Sequence, residues 1–132
     1  AYMDIATRWG QMSYARRRQV GCIIVKGGQI ISDGYNGTPY GFDNDCEFPT
    51  RFGWETRSEV LHAESNAISK LAKSTQSSDG ATIYITLSPC YDCAKLMIQS
   101  GISRVVYKEE YSNTAGIDLL RQAKIDVRGD HR

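Results

Sequence analysis

The sequence has no long apolar run. Its longest β-type run, Val20 to Val25, has the length of one strand, whereas a helix needs about 20 apolar residues to span a bilayer. The amino-terminal residues also lack a basic segment followed by an apolar stretch, so no secretory signal is visible. We therefore expect a protein without a membrane segment that acts in the cytoplasm, or in the host cytoplasm if it is viral.

An excess of charge of one sign is also missing. The chain has 16 Lys and Arg residues against 15 Asp and Glu residues, for a formal net charge of +1. Nonspecific binding to nucleic acid depends on an excess of basic residues, so we do not expect a nucleic-acid partner. The one basic run is Arg16 to Arg18, which leaves room for a local positive patch.

Nothing in the composition indicates disorder, a collagen-like fibre or a coiled coil, because 41% of the residues are hydrophobic and 23% are charged. A length of 132 residues is typical of one domain and suffices to bury a core without disulfides. No internal repeat, low-complexity tract or linker divides the chain. We therefore expect a single domain over residues 1–132.

Hydrophobic periodicity predicts alternating helices and strands. The predicted helices cover residues 2–17, 61–75, 89–100 and 117–123, and the predicted strands cover residues 21–26, 29–33, 82–87, 104–108 and 125–128. Ser88 and Pro89 have the residue types of a helix cap and a first helical position. The segment from Asn36 to Trp54 is predicted to be a long functional loop. This order indicates an α/β fold with a mixed sheet between helices, and it leaves the strand order open.

Two of the four cysteines are closely spaced. Cys90 and Cys93 lie at a predicted helix start, where the helix dipole and free N–H groups favour the thiolate that a metal needs. His62 lies at a second predicted helix start and can supply an imidazole. One histidine and two cysteines form a ligand set that suits Zn²⁺.

The number of ligands distinguishes a structural zinc from a catalytic one. A structural site is closed by four protein ligands, whereas a catalytic site keeps one position for water. The other candidate donors are Cys22, in a predicted strand, Cys46, in the long loop, and His131, near the carboxyl terminus. None shows the paired spacing of a structural site, so the sequence predicts three protein ligands and one position for water.

Glu64 is placed to move protons beside such a metal. Zinc lowers the pKa of its water to roughly 7, from 15.7 in bulk. Glu64 lies two residues after His62 and can take the proton of that water and pass it to a substrate. A lone Cys-x-x-Cys or His-x-Glu often arises by chance, but the two together, each at a helix start, indicate a metal-dependent hydrolytic site.

At these residues the chain resembles the zinc-dependent cytidine deaminase superfamily and, within it, the deoxycytidylate (dCMP) deaminases. Three segments carry the resemblance: GYNGTP at 34–39, HAESNA at 62–67 and TLSPCYDCAK at 86–95. The combination H-x-E and P-C-x-x-C is highly specific for the superfamily. Tyr35 and Asn66 favour the dCMP branch over the branch that acts on tRNA adenosine. The similar layout spans residues 1–128.

The resemblance implies a three-layer α/β/α sandwich around a five-stranded mixed sheet. It implies deamination of dCMP to dUMP and ammonia, which feeds dTMP synthesis, with His62, Cys90 and Cys93 holding Zn²⁺ and Glu64 as the proton shuttle. Asn36 resembles the family residue that contacts the sugar. The expected substrate-binding residues are Asn36, Ala63, Ser88, Tyr91, Tyr111 and Arg17.

The resemblance also implies regulation and assembly. The segment of Gly34, Tyr35, Asn36 and Gly37 would take part in an allosteric nucleotide site, where dCTP activates, dTTP inhibits and Mg²⁺ accompanies the triphosphate. Such enzymes form homo-oligomers, commonly hexamers. Some phage members hold a second, structural zinc before the HAE segment. Here that stretch has only Cys46 and no histidine, so we do not expect a second zinc.

Several assignments keep an alternative. Arg17 and Arg18 precede the first strand and are candidates for the 5′-phosphate, or they are solvated residues that end a helix. Tyr91 and Tyr111 are candidates to pack on the pyrimidine, or they are ordinary half-buried aromatics. For the whole chain, the alternatives are a deaminase of dCTP, of free cytidine or of a base in RNA, and a nucleotide-sensing zinc module without turnover.

Overall fold

The computed structural model describes residues 1–15, 18–39, 41–57 and 60–130. Its elements, in chain order, are α1 (Tyr2–Gly10), β1 (Gly21–Lys26), β2 (Gln29–Tyr35), β3 (Glu47–Thr50), β4 (Gly53–Thr56), α2 (Ala63–Leu71), β5 (Thr82–Leu87), α3 (Tyr91–Gln99), β6 (Arg104–Glu109), α4 (Ala115–Gln122) and β7 (Asp126–Gly129). Over the described part of the chain, every helix is too short or too polar to cross a bilayer.

Five strands form one mixed sheet in the order β2-β1-β5-β6-β7. β1 pairs antiparallel with β2 and with β5, while β5-β6 and β6-β7 are parallel pairs. The hairpin between β1 and β2 turns at Gly27 and Gly28, which both have positive φ. Parallel strands need crossover connections, and α3 and α4 supply them. The predicted five-stranded mixed sheet is therefore confirmed.

Helices cover both faces of the sheet, which produces three layers. Along β1, Cys22 and Ile24 belong to the core cluster that α2, α3 and α4 cover, whereas Ile23 and Val25 belong to the cluster that α1 covers with Met3 and Ala6. Alternation of side chains along a strand explains this division. It also explains why β1 is apolar without a break instead of alternating with polar residues.

The prediction of a loop from Asn36 to Trp54 was wrong in its second half. Residues 47–56 form an antiparallel hairpin of β3 and β4, in which Glu47 is opposite Thr56 and Thr50 is opposite Gly53. The Thr50 hydroxyl donates to the Gly53 carbonyl at 3.2 Å and accepts from the Phe52 N–H at 3.3 Å, and Gly53 has φ 123. A proline inside β3 and a glycine at the turn hid the strand pattern.

All four helices differ in their bounds from the prediction, and two of the differences have a clear tertiary cause. α1 ends at Gly10 and not near residue 17, because Gly10 packs directly on β1, and a Cβ at Gly10 would lie 2.8 Å from the Gly21 nitrogen. α3 begins at Tyr91, so Ser88 does not cap it. The Ser88 N–H donates to the Glu109 carbonyl at 2.8 Å, and its hydroxyl accepts from the Tyr111 N–H at 2.7 Å. Tertiary contacts therefore use the polar groups that the sequence assigned to a cap.

Candidate metal centre and active site

One edge of the sheet collects the predicted site residues. The parallel strands β5 and β6 end together at this edge, with Leu87 paired to Glu109, and the beginning of β1 meets the end of β2 there through the pair Gly21 and Tyr35. The crevice outside the carboxyl ends of parallel strands is the usual ligand site of open α/β sheets. The amino termini of α2 and α3 bring His62 and Cys90 to this edge.

The three predicted metal ligands form one cluster. The ligand atoms of His62, Cys90 and Cys93 all lie within 4.8 Å of one another. His62 Nδ1 is 3.3 Å from Cys93 Sγ and 3.4 Å from Cys90 Sγ. A nitrogen and a sulfur on one tetrahedral zinc, at bond lengths of about 2.05 and 2.3 Å, lie roughly 3.6 Å apart. The donor set and its spacing therefore fit a zinc ion after only small adjustments.

Backbone position explains how short motifs achieve this spacing. His62 and Cys90 occupy the residue positions just before α2 and α3, in extended conformation, and neither side chain caps its helix. Cys93 lies within the first turn of α3, so its sulfur returns to the same side as that of Cys90. Because both helices point their amino termini at the cluster, their dipoles favour anionic sulfur ligands there.

The two thiols of the cluster differ in their protonation without metal. The Cys93 thiol donates to the Cys90 sulfur and, together with His62, lowers the pKa of Cys90 to about 4. The same hydrogen bond and burial raise the pKa of Cys93. The hydrogen bond to Cys90 raises the pKa of His62. One thiolate is thus prepared for a cation, and metal binding would release the proton that Cys93 holds.

Among the residues that the structure describes, no fourth histidine, cysteine or carboxylate joins this group. Cys22 is fully buried in β1, and burial raises the pKa of its thiol well above the ordinary value. Burial, followed by Glu47 and Asp45, raises the pKa of Cys46. His131 lies outside the described residues. The described part of the cluster is therefore that of a metal site with one position left for a non-protein ligand.

Glu64 is a buried carboxyl beside this cluster. Glu64 lies on the first turn of α2 and is only 4% exposed. This burial raises the pKa of its carboxyl to about 7. Hydrogen bonds from its own backbone N–H and from the Cys93 thiol act in the opposite direction, as does the charge of His62. A carboxyl with a pKa near neutrality can both accept and donate a proton at physiological pH.

The cluster and Glu64 share a cavity of about 360 Å³, the size of a small-ligand site. Four of the predicted substrate-binding residues line it, namely Asn36, Ala63, Ser88 and Tyr111. Tyr91 is not in this lining, is 49% exposed, and has the Lys95 ammonium over its ring. Arg17 lies outside the described residues.

Two polar residues of the lining, Glu47 and Thr56, were missed from the sequence. Arg18, which the sequence offered with Arg17 as a candidate for the 5′-phosphate, also lines the cavity. Glu47 and Thr56 are opposite each other in the β3-β4 hairpin, and Glu47 is buried. Glu47 is the buried first residue of β3, and its burial is visible only once the hairpin is known.

Asn36 links the segment before β1 to the end of β2. Its side-chain amide donates to the Arg18 carbonyl at 2.7 Å and accepts from the Val20 N–H at 2.9 Å. Its own carbonyl accepts from the Ser13 hydroxyl at 2.7 Å. The amide therefore holds the segment that leads into β1 against the end of β2, while Asn36 also lines the cavity.

The other residues of the predicted allosteric segment lie elsewhere. Gly34, Tyr35 and Gly37 line a second cavity of about 300 Å³ with Asn66 and Lys70. Asn66 donates to the Tyr35 carbonyl at 2.8 Å, and the Lys70 ammonium is 2.7 Å from an Asp33 carboxylate oxygen. Cys46 lines both cavities. The segment 34–37 thus contacts two cavities, with Asn36 on the side of the metal cluster.

Comparison with known proteins assigns the family. Residues 1–109 match the sequence model described as the cytidine and deoxycytidylate deaminase zinc-binding region. The chain belongs to the cytidine and deoxycytidylate deaminase family. The match includes Glu64 and the three residues of the metal cluster.

Individual members of the deaminase family cover nearly the whole chain. Deoxycytidylate deaminase of Enterobacteria phage T4 is 38% identical, over 95% of this chain and 86% of that protein. The mouse deoxycytidylate deaminase is 36% identical, over 96% of this chain and 76% of that protein. The crystal structure of dCMP deaminase from the cyanophage S-TIM5 in complex with dCMP and dUMP superposes with a TM-score of 0.92 at 45% identity, covering 98% of this chain and 93% of that one.

Proposed function

We propose that this chain catalyses the hydrolytic deamination of dCMP, in which dCMP and water give dUMP and ammonia. One observation carries the proposal: a cluster of three metal ligands and a buried carboxyl with a pKa near 7 line the same cavity. Family membership and the dCMP deaminases that the chain resembles support dCMP as the substrate.

His62, Cys90 and Cys93 would hold the zinc. When bound, zinc lowers the pKa of a water ligand and supplies a hydroxide equivalent at neutral pH. Glu64 accepts the proton of the attacking water and delivers it to the ring nitrogen N3, while C4 of the cytosine becomes tetrahedral. Glu64 then moves the proton of the new C4 hydroxyl to the amino nitrogen, so that the C4–N bond breaks and ammonia leaves as the C4 carbonyl forms. The burial of Glu64 keeps its pKa in the range that both transfers need.

The remaining lining residues bind and orient the substrate. Ala63 follows the metal ligand His62, and Ser88 lies two residues before the metal ligand Cys90. Both line the cavity beside the cluster, so they are placed to contact the base, and Tyr111 is placed to pack on the pyrimidine ring. Asn36 is placed to contact the sugar, and its bonds to Arg18 and Val20 hold it in position. Tyr91 carries less support as a ring contact, because it is not part of the cavity lining.

The test replaces the carboxyl and keeps its shape. In Glu64→Gln we expect about one zinc per chain, an unchanged fold and a deamination rate lower by at least 10²–10⁴-fold, as for loss of a general acid–base group. Glu55→Gln, on the exposed strand β4, is the matched control. Zinc is measured by elemental analysis, and the reaction by the loss of amino-pyrimidine absorbance. A near-normal rate in Glu64→Gln would contradict the role of Glu64.

A substrate panel separates the candidate functions. We expect turnover of dCMP and much less of dCTP, CMP or deoxycytidine. Preference for deoxycytidine or dCTP would assign a different deaminase of this family. Tight nucleotide binding without turnover by the zinc-loaded protein would support the nucleotide-sensing module instead.

The second cavity supports a proposal of allosteric regulation at Gly34, Tyr35, Asn36 and Gly37. Three of these residues line it, and Lys70 adds a cation that a triphosphate could contact. We expect dCTP with Mg²⁺ to activate and dTTP to inhibit, in a homo-oligomer for which a hexamer is the expected size. Rates that do not respond to either nucleotide would remove the regulation and leave the catalytic proposal standing.

A further inference from the structure

Arg18 stands out among the residues that line the catalytic cavity. In the described lining, it and His62 are the only side chains able to carry a positive charge, and His62 belongs to the metal cluster. Glu47 and Glu64 line the same cavity and are buried. An anionic group of a ligand is therefore repelled from the side of the carboxyls and attracted to Arg18.

The main chain of Arg18 is held in place, whereas its side chain is exposed. Its carbonyl accepts from the Asn36 amide at 2.7 Å, and the same amide accepts from the Val20 N–H at 2.9 Å. The Arg18 side chain is 54% exposed. A long side chain on an anchored backbone can turn towards the cavity without a change in the fold.

The Arg18 guanidinium already forms an ion pair with a carboxylate of the protein. Arg18 Nη2 lies 2.6 Å from Glu109 Oε2, in a pair between residues 91 positions apart in the chain. The Glu109 side chain is 59% exposed, and its backbone carbonyl accepts from the Ser88 N–H at 2.8 Å at the cavity rim. Exposed ion pairs of this kind contribute little to stability, so a stronger anion can displace the carboxylate.

We propose that the 5′-phosphate of the substrate replaces the Glu109 carboxylate on Arg18, so that Arg18 selects the nucleotide over the nucleoside and Glu109 competes with the substrate. A phosphate carries nearly two charges and three acceptor oxygens, and it matches the fork of guanidinium N–H donors better than a single carboxylate oxygen does. The inference rests on the proposed function, since it assigns one end of the same substrate.

The experiment measures binding and turnover of matched ligands with and without phosphate. In Arg18→Gln, we expect kcat/KM for dCMP to fall about 10- to 100-fold, the usual effect of one charge-assisted contact. The dissociation constant of dUMP from the zinc-loaded protein, measured by calorimetry, should rise by a similar factor. The constant for deoxyuridine should not change. Arg8→Gln, an exposed arginine on α1, is the control.

Glu109 distinguishes competition from simple positioning. Glu109→Gln should bind dUMP a few-fold more tightly than the wild type, with deoxyuridine unaffected, and this gain should vanish in the double variant with Arg18→Gln. An equal loss for dUMP and deoxyuridine in Arg18→Gln, or no loss for either, would overturn the assignment of Arg18. Weaker dUMP binding in Glu109→Gln would overturn the exchange. A wild type that binds dUMP and does not deaminate dCMP would instead contradict the proposed function.

Discussion

Gly116 packs against the backbone of Pro89 and Cys90, and we predict that this close packing keeps the metal ligand Cys90 in position. It is the second residue of α4, and a Cβ built there would contact the Pro89 carbonyl and lie 2.8 Å from the Cys90 carbonyl oxygen. Ordinary contacts between such atoms are about 3.5 Å or longer, so Gly116→Ala must shift this backbone by at least roughly 0.7 Å at Cys90, and by more at Pro89, where the approach is closer. Metal sites tolerate ligand displacements of only about 0.2 Å.

Two effects of Gly116→Ala oppose each other. Alanine in a helix is favoured over glycine by about 0.5–1 kcal/mol. Overpacking against two backbone carbonyls costs about 1–3 kcal/mol, and backbone has less freedom to yield than a side chain. We therefore expect a net loss of stability of roughly 1 kcal/mol, a decrease in Tm of a few degrees. The displaced Cys90 should weaken zinc binding about 10- to 100-fold, as for other supports of metal ligands.

The assay is competition for zinc against a chromophoric chelator, followed by thermal unfolding of the same samples. Gly37→Ala is the matched control, because a Cβ there has no heavy atom within 4 Å. Excess zinc should restore part of the deamination rate of Gly116→Ala. Unchanged zinc affinity together with an equal or higher Tm would show that the close approach of α4 does not position Cys90.

Three further variants or treatments test the structure around the cavity. Asn36→Asp should lower Tm and kcat/KM at least as much as Asn36→Ala, because a carboxylate oxygen would replace the N–H donor that faces the Arg18 carbonyl. If Asn36→Asp were as stable as the wild type, this hydrogen bond would be contradicted. After a chelator removes the zinc from the folded protein, a thiol reagent should label Cys90 first, because Cys90 is partly exposed and the other three cysteines are buried. Peptide mapping identifies the labelled residue, and earlier labelling of another cysteine would refute the prediction. Ser88→Ala should destabilise the protein by about 1–3 kcal/mol in urea unfolding, since it leaves the Tyr111 N–H without its acceptor, and no change would mean that water replaces the hydroxyl.

Local patterns predicted much of the fold. The bounds of β1 and β5 agree with the prediction, and both strands are rich in β-branched residues. β1 is buried on both faces over Gly21 to Val25, while β5 has fully buried residues on one face and half-buried residues on the other. The prediction failed where a local preference competed with a distant partner. α1 ends early because Gly10 meets Gly21, and Ser88 does not cap α3 because its groups bind Glu109, the last residue of β6, and Tyr111 beyond it. Such contacts have no signature within a short window of sequence.

The amino-acid sequence by itself determined the chemistry of this protein. His62, Glu64, Cys90 and Cys93 lie in two short motifs at helix starts, and their spacing within each motif already limits where the ligand atoms can be. Only the tertiary structure decided what surrounds them: the hairpin that brings Glu47 to the cavity, the ion pair of Arg18 with Glu109 and the separation of the segment 34–37 between two cavities. The physical reason is distance along the chain, because covalent geometry fixes neighbours a few residues apart, whereas residues 91 positions apart meet only after the sheet has formed.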